Sequence, residues 1–449
     1  MKRILITAME SGSGKTVVSC GLMRAFQKRG LSVRAFKCGP DYIDPMFHTR
    51  VIGVPSRNLD LFLQGKKGVL RTLARENGDV AVLEGAMGFY DGKNGTPEAS
   101  AWETADVTGT PALLVVRPGA QSVTLAAQIR GMTAFRTPSR IAVLLLTDCR
   151  PKRYAQLKDM LEKETGLPVA GYLPPMEEAK IPSRHLGLVT AREIGDLNTR
   201  FDRIAEELEE HTDLDLLLSL AAQAENMAEE PSVPDKTSCT IAVARDEAFC
   251  FYYEDNLDLL RESGARIIPF SPVHDTRLPD ADGLYLGGGY PELYAKELSA
   301  NVSMRQSVRK AVMSGMPTVA ECGGFLYLQE FVKDGNGDAL PMAGVFPGAA
   351  EDTGRLQRFG YLTVSADRDS LLFRKGETVP AHEFHYWDCS DCGAEFKAQK
   401  ADGRTWRFGF AGPDLYAGFP HLHFGGETPF AQRFAGAAAA YAAKREVRP

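Results

Sequence analysis

Residues 2–26 read KRILITAMESGSGKTVVSCGLMRAF. The run Ile4–Ala8 is apolar but for Thr7, as a first strand buried on both faces is expected to be. Lys15–Arg29 reads as a helix, and Ser11-Gly12-Ser13-Gly14-Lys15-Thr16 joins the two. A glycine-rich turn leading from a strand into a helix is the setting of a phosphate loop. Glycines let backbone N–H groups point at phosphate oxygens, and the helix N-terminus adds favourable dipole charge. Ser11, Gly12, Ser13, Gly14 and Lys15 are therefore expected to bind ATP. Lys15 would neutralise the terminal phosphates and the Thr16 hydroxyl would hold Mg²⁺. The pattern G-x-x-x-x-G-K-[ST] is met in its second half only. Met9 stands at its first glycine, or Ala8 if the loop is one residue longer.

Further along, strand-like runs at Val33–Lys37, Val80–Glu84, Ala112–Val116 and Ile141–Thr147 alternate with helical stretches such as Gln121–Phe135. That alternation predicts a parallel sheet covered on both faces. Carboxylates at the C-terminal ends of parallel strands face the ligand crevice. Glu84 ends one such strand and is a candidate Mg²⁺ ligand, with Asp91 just beyond it. Another strand ends in Lys37-Cys38-Gly39-Pro40-Asp41-Tyr42-Ile43-Asp44-Pro45, placing Lys37, Asp41 and Asp44 on the same sheet edge.

Ala224–Ser238 (AENMAEEPSVPDKTS) is rich in Glu, Pro and Ser and reads as a linker. Expected domains are 1–225 and 239–449, joined by 226–238. A second α/β series follows, with strands at Thr240–Ala244, Ile267–Phe270, Gly283–Leu286 and Thr318–Glu321. Beyond Gly344 the pattern turns β-rich, with Tyr361–Ser365, His382–Asp388, Arg407–Ala411 and Tyr416–Phe424. The tail Ala431–Lys444 is helical.

Ala320-Glu321-Cys322-Gly323-Gly324 follows a strand and opens a helix, Phe325–Phe331. This is a nucleophile elbow with cysteine in place of serine. A helix N-terminus is expected to favour the thiolate. The Gly323 N–H can stabilise an oxyanion, and Gly288 and Gly289, in Leu286–Glu292, can supply a second donor. His421 or His423 offers the base. On a strand the two histidines would share a face.

The composition, 44% apolar and 24% charged with a formal net charge of −6, is that of an ordinary globular protein. With no basic block, it speaks against a nucleic-acid or membrane-surface role. The longest apolar runs are too short to span a bilayer. Eight scattered cysteines suit reduced thiols and a cytoplasmic setting. Cys389 and Cys392 have C-x-x-C spacing with His382 and His385 nearby. A zinc site normally needs a second ligand pair, and two loop thiols is the simpler reading.

Taken in order, SGSGKT, KCGPDYIDPMFH, EGAMGFYDG, LGGGYPE, AECGGFLYL and HLHF resemble the cobyrinic acid a,c-diamide synthases over nearly the whole chain. The most specific piece is KCGPDYIDPMFH (Lys37–His48). The resemblance implies an α/β fold: a dethiobiotin-synthetase-like P-loop domain followed by a class I glutamine amidotransferase domain. It implies ATP-, Mg²⁺- and glutamine-dependent amidation of the a and c carboxylates of a corrin polycarboxylate. By motif, Lys15, Thr16 and Lys37 would serve ATP, and Thr16, Asp41 and Glu84 the metal. Tyr42, Ile43, Asp44 and Asp91 would lie at the substrate, and Cys322 would be a nucleophile paired with His421. Class I glutaminases usually carry H-x-E, whereas His423 stands at that third position here, which leaves open what orients His421. Related readings are cobyric acid synthase, or the same chemistry on hydrogenobyrinic acid or nickel sirohydrochlorin. A partition-type ATPase fits less well: Glu10 and Ser11 stand where such proteins carry a lysine. The sequence leaves the oligomeric state open, a homodimer included.

Overall fold

The computed structural model describes residues 1–180, 183–184, 187–188, 194–226, 237–334 and 337–446. The chain divides into two compact units, Met1–Glu230 and Pro231–Pro449. Most of the expected linker, 226–238, lies outside the described residues.

The first unit is a seven-stranded sheet. Its strands are β1 (Lys2–Ala8), β2 (Val33–Cys38), β3 (Arg57–Leu59), β4 (Val80–Glu84), β5 (Ala112–Val116), β6 (Ile141–Thr147) and β7 (Val169–Leu173). They lie in the order β3-β2-β4-β1-β5-β6-β7, and every pairing is parallel. Successive side chains on a strand point to opposite faces, and here both faces are apolar. Ile4, Ile6, Val82, Leu113 and Val115 build one core, while Leu5, Leu83, Leu114 and Leu144 build the other. Helix α1 (Lys15–Lys28) follows β1 and α2 (Ile43–Ile52) follows β2. Register places the chemistry, because Lys37 pairs with Glu84 across β2 and β4, and Ile6 with Glu84 across β1 and β4.

The second unit has a six-stranded sheet. In spatial order its strands are Ala265–Phe270, Cys239–Ala244, Gly283–Leu286, Thr318–Glu321, Leu415–Gly418 and Phe410–Gly412. All pairings are parallel except the last. A second sheet is built on the long antiparallel pair Phe346–Ala366 and Thr378–Cys389. The β-rich reading beyond Gly344 is met there. Two expectations need correction. The strand predicted over Tyr416–Phe424 stops at Gly418, and Pro420 follows two residues later, so the two histidines lie beyond any regular strand. The helix opened by the elbow is Gly323–Leu328, and a strand, Gln329–Lys333, follows at once. Among the described residues no helix is long and apolar enough to cross a membrane.

Candidate functional site

In the first unit the loop after β1 turns through Gly12 and Gly14, with φ of 78° and 92°, a left-handed region that suits glycine. Gly14 caps α1 directly before Lys15. Lys15 Nζ donates to the Glu10 carbonyl at 3.0 Å and the Met87 carbonyl at 2.6 Å. Burial, and then the charge of Lys37, pull the Lys15 pKa down to about 8. Ser13 Oγ donates to the Glu10 carbonyl at 3.1 Å, while Ser11 and Gly12 are exposed at the rim.

Thr16 Oγ1 donates to Glu84 Oε1 at 2.8 Å and lies 3.3 Å from Asp44 Oδ1. Lys37 Nζ sits 2.5 Å from Asp44 Oδ2 and 3.0 Å from Glu84 Oε1. His48 Nε2 reaches Glu84 Oε2 at 2.7 Å, and His48 Nδ1 meets Ser56 Oγ at 3.0 Å. Glu84 and His48 are both fully buried. Burial opposes the Glu84 charge, but Lys37 and then His48 hold its pKa well below the carboxylate range. Burial, then the neighbouring Glu84, push Asp44 up to about 8. Burial works against the Lys37 charge too, yet Asp44 and Glu84 carry it well above an ordinary lysine.

Asp44, expected at the substrate, thus stands beside Thr16 and Glu84. Asp41, expected at the metal, accepts the Ile43 and Asp44 backbone N–H groups at 2.6 and 3.1 Å and fastens the start of α2. Asp91 accepts the Gly88 N–H at 3.2 Å. Tyr42 and Ile43 are half-buried at the α2 N-terminus. His48 was missed. Its signal was present, since Asp44 and His48 are four apart on one helix and so share a face.

In the second unit Cys322 lies between Thr318–Glu321 and Gly323–Leu328 with φ 48° and ψ −103°. A non-glycine residue held there is strained, as a nucleophile elbow requires. Its N–H is fixed to the Gly418 carbonyl at 2.9 Å. Burial, then Glu292 and Glu383, push the thiol pKa up. This direction runs against the expected thiolate. A six-residue helix sets little positive potential against a buried sulfur among carboxylates, so burial here favours the thiol over the thiolate.

A Cβ on Gly323 would lie 3.0 Å from Gly289 N, so the two glycine backbones are adjacent. A Cβ on Gly288 would lie 2.6 Å from His421 Cε1 and 3.3 Å from its Nε2. Gly288, Gly289, Gly323 and His421 therefore converge beside the elbow. Burial, then the charges of His382 and His385, lower the His421 pKa to about 3, so its imidazole is neutral at ordinary pH. His423 turns elsewhere. Its Nδ1 accepts the Gly425 N–H at 3.0 Å, and its ring packs on Tyr253 with centroids 4.7 Å apart. Gly288→Ala is expected to displace the His421 ring and cut glutamine hydrolysis about 100-fold. A steady-state glutaminase assay with circular dichroism as a folding control checks this.

His382 and His385 do not join the C-x-x-C pair. His382 exchanges backbone hydrogen bonds with His421, and His385 Nε2 meets Glu383 Oε1 at 2.7 Å. Cys389 and Cys392 are free thiols, and Cys392 Sγ donates to Asp388 Oδ1 at 3.1 Å. Among the described residues no group of three or more His, Cys, Asp or Glu side chains is arranged to hold a metal ion. The donors around Thr16 are all hard oxygens, two of them carboxylate. That set fits Mg²⁺, which draws its remaining ligands from phosphate and water.

Family models match both units. A CobQ/CobB/MinD/ParA nucleotide binding domain covers residues 4–189, and a CobB/CobQ-like glutamine amidotransferase domain covers 240–428. An ATP-type P-loop unit joined to a cysteine amidotransferase unit defines the class of glutamine-dependent amidotransferases. Curated relatives span its full arrangement. A cobyrinate a,c-diamide synthase of Listeria innocua is 39% identical over 94% of this chain and 96% of its own length. One of Salmonella typhimurium is 41% identical over 97% of both, and one of Clostridium tetani is 39% identical over 96% and 98%. The chain belongs to the cobyrinate a,c-diamide synthase family.

Proposed function

We propose that this protein uses ATP and glutamine to convert the a and c carboxylates of cobyrinate into amides. The observation that carries the reading is the presence, in one chain, of two distinct centres. One is Lys15, Thr16 and Glu84 gathered at parallel-strand ends, and the other is Cys322 at a strained elbow beside His421.

A carboxylate resists nucleophiles because resonance and charge protect its carbon. Transfer of the γ-phosphoryl group from ATP gives an acyl phosphate with a good leaving group. Lys15 and Lys37 balance phosphate charge. Thr16, Glu84 and Asp44 would hold Mg²⁺, which supplies charge neutralisation at the moving phosphoryl group. Asp91, Tyr42 and Ile43 lie on the loops that would receive the corrin. Asp41 serves the site by fixing the start of α2, which carries Asp44.

In the second unit the Cys322 proton passes to His421 as sulfur attacks the glutamine amide carbon. The oxyanion is met by the Gly289 and Gly323 N–H groups, with Gly288 shaping the wall. Ammonia departs and water releases glutamate from the thioester. Ammonia then displaces phosphate from the acyl phosphate. The reaction sets the test: with cobyrinic acid, ATP, Mg²⁺ and glutamine, product mass should show two successive carboxylate-to-amide exchanges. Hydrogenobyrinic acid and nickel sirohydrochlorin in parallel define the substrate. Turnover of neither these nor cobyrinic acid, with the fold intact, overturns the proposal.

A further inference from the structure

The usual third catalytic member is missing from its place two residues after His421, and the structure offers a carboxylate from another direction. We propose that Glu321, the residue before the nucleophile, is the positioning acid of this glutaminase and orients His421 through Nδ1. The inference rests on the assignment of Cys322 and His421 made above.

His421 Nδ1 lies 4.0 Å from Glu321 Oε2, and both side chains are buried. The Cε1–Nε2 bond of the ring faces Gly288 on the oxyanion side. Nδ1 thus looks toward Glu321, and Nε2 toward the glycines beside Cys322. Glu321 also holds the backbone that carries the histidine, because its Oε1 accepts the Leu422 N–H at 2.9 Å. Tyr285 donates to Glu321 Oε2 at 2.9 Å. Asn256 completes the clamp, donating to the Leu422 carbonyl at 2.8 Å and accepting the Phe424 N–H at 2.7 Å. Residues 421–424 belong to no regular strand, so beyond the single backbone bridge of His421 to His382 these side chains hold the segment that carries the base.

Other carboxylates are engaged differently. Glu383 holds His385, whose Nδ1 meets the Trp387 carbonyl and whose ring stacks on Phe419. Glu292 bears on Cys322 through its charge, as Glu383 and Glu321 also do. During attack the Cys322 proton moves to Nε2 of His421, then to the departing amide nitrogen as the C–N bond breaks. Glu321 takes no proton in this sequence. It faces Nδ1–H, keeps the tautomer that leaves Nε2 free, and stabilises the transient imidazolium.

The charged and titratable groups facing His421 are Glu321, His382 and His385, with Glu292 and Glu383 near Cys322. Burial pushes the Glu321 carboxyl up to about 7, with the Leu422 N–H and the Tyr285 hydroxyl opposing that rise, so it carries its charge above that pH. Removing this charge makes the imidazole less basic. Glu321→Gln in the full-length protein should therefore lower kcat for glutamine hydrolysis about 100-fold or more. KM for glutamine should stay within about threefold, and the acid limb of kcat/KM should move to lower pH. Glu321→Asp should recover part of kcat. Synthesis supported by ammonium, which uses the other unit, should hold near the wild-type rate. Three results would overturn the proposal: hydrolysis near wild type with an unmoved pH profile, Glu383→Gln showing this signature while Glu321→Gln does not, or losses at both centres with a lower Tm, which marks a structural role. Hydrolysis surviving in Cys322→Ser would instead sink the underlying site assignment, and the inference with it.

Discussion

Replacing Cys322 with serine is expected to lower glutamine-supported amidation by on the order of 10⁴-fold and to leave ammonium-supported amidation close to wild type. Serine is nearly isosteric, and the elbow conformation is set by the backbone, so the fold should tolerate the change. The Cys322 N–H remains tied to Gly418, and the flanking glycines keep their close approach. What is lost is the nucleophile, because a hydroxyl gives up its proton to a histidine far less readily than a thiol does and attacks poorly while it keeps it. Glutamine binding does not depend on that step, so KM should change little. Steady-state synthesis with glutamine and with ammonium chloride, side by side, reads the result. Loss of both activities in a folded protein would contradict a division of labour between two centres.

Glu84→Gln should have the opposite pattern, with synthesis falling about 10²–10³-fold whichever nitrogen source is used and glutamine hydrolysis largely spared. Glu84 is fully buried, and Thr16, Lys37 and His48 all converge on it. The neutral amide leaves Lys37 with Asp44 as its remaining anionic contact. Breaking a buried ion pair from one side costs about 3 kcal/mol, so thermal unfolding should shift to lower temperature as well. The measurements are product formation with ammonium, glutamate release, and a melting curve of the full chain. Wild-type synthesis in a properly folded Glu84→Gln protein would remove Glu84 from the chemistry.

The first unit was legible because its signals are local. Buried parallel strands are unbroken apolar runs, and Val80–Glu84, Ala112–Val116 and Ile141–Thr147 end where the sequence says they should. Glu84 and Lys37 could be placed at strand ends for the same reason. Which carboxylate meets Thr16 was not legible, because Asp41 and Asp44 are three residues apart at the turn into α2. The backbone there turns Asp41 onto N–H groups and Asp44 toward Lys37. In the second unit the elbow was readable from its glycines, but the state of Cys322 was not, since Glu292 and Glu383 reach it from distant sequence. The pair His421 and His423 misled for a physical reason. Period-two reasoning holds only inside a strand, and that strand ends at Gly418.

The knot of charge around Lys37 ties three elements of the first unit together. Asp44 and Glu84 both meet the Lys37 ammonium, and Glu84 also meets His48, which is anchored through Ser56 to the carbonyl of Ala35 in β2. Held from so many sides, the cluster should respond as one unit, so changes at Lys37, Glu84 and His48 are expected to be non-additive in a double-mutant cycle read by thermal unfolding.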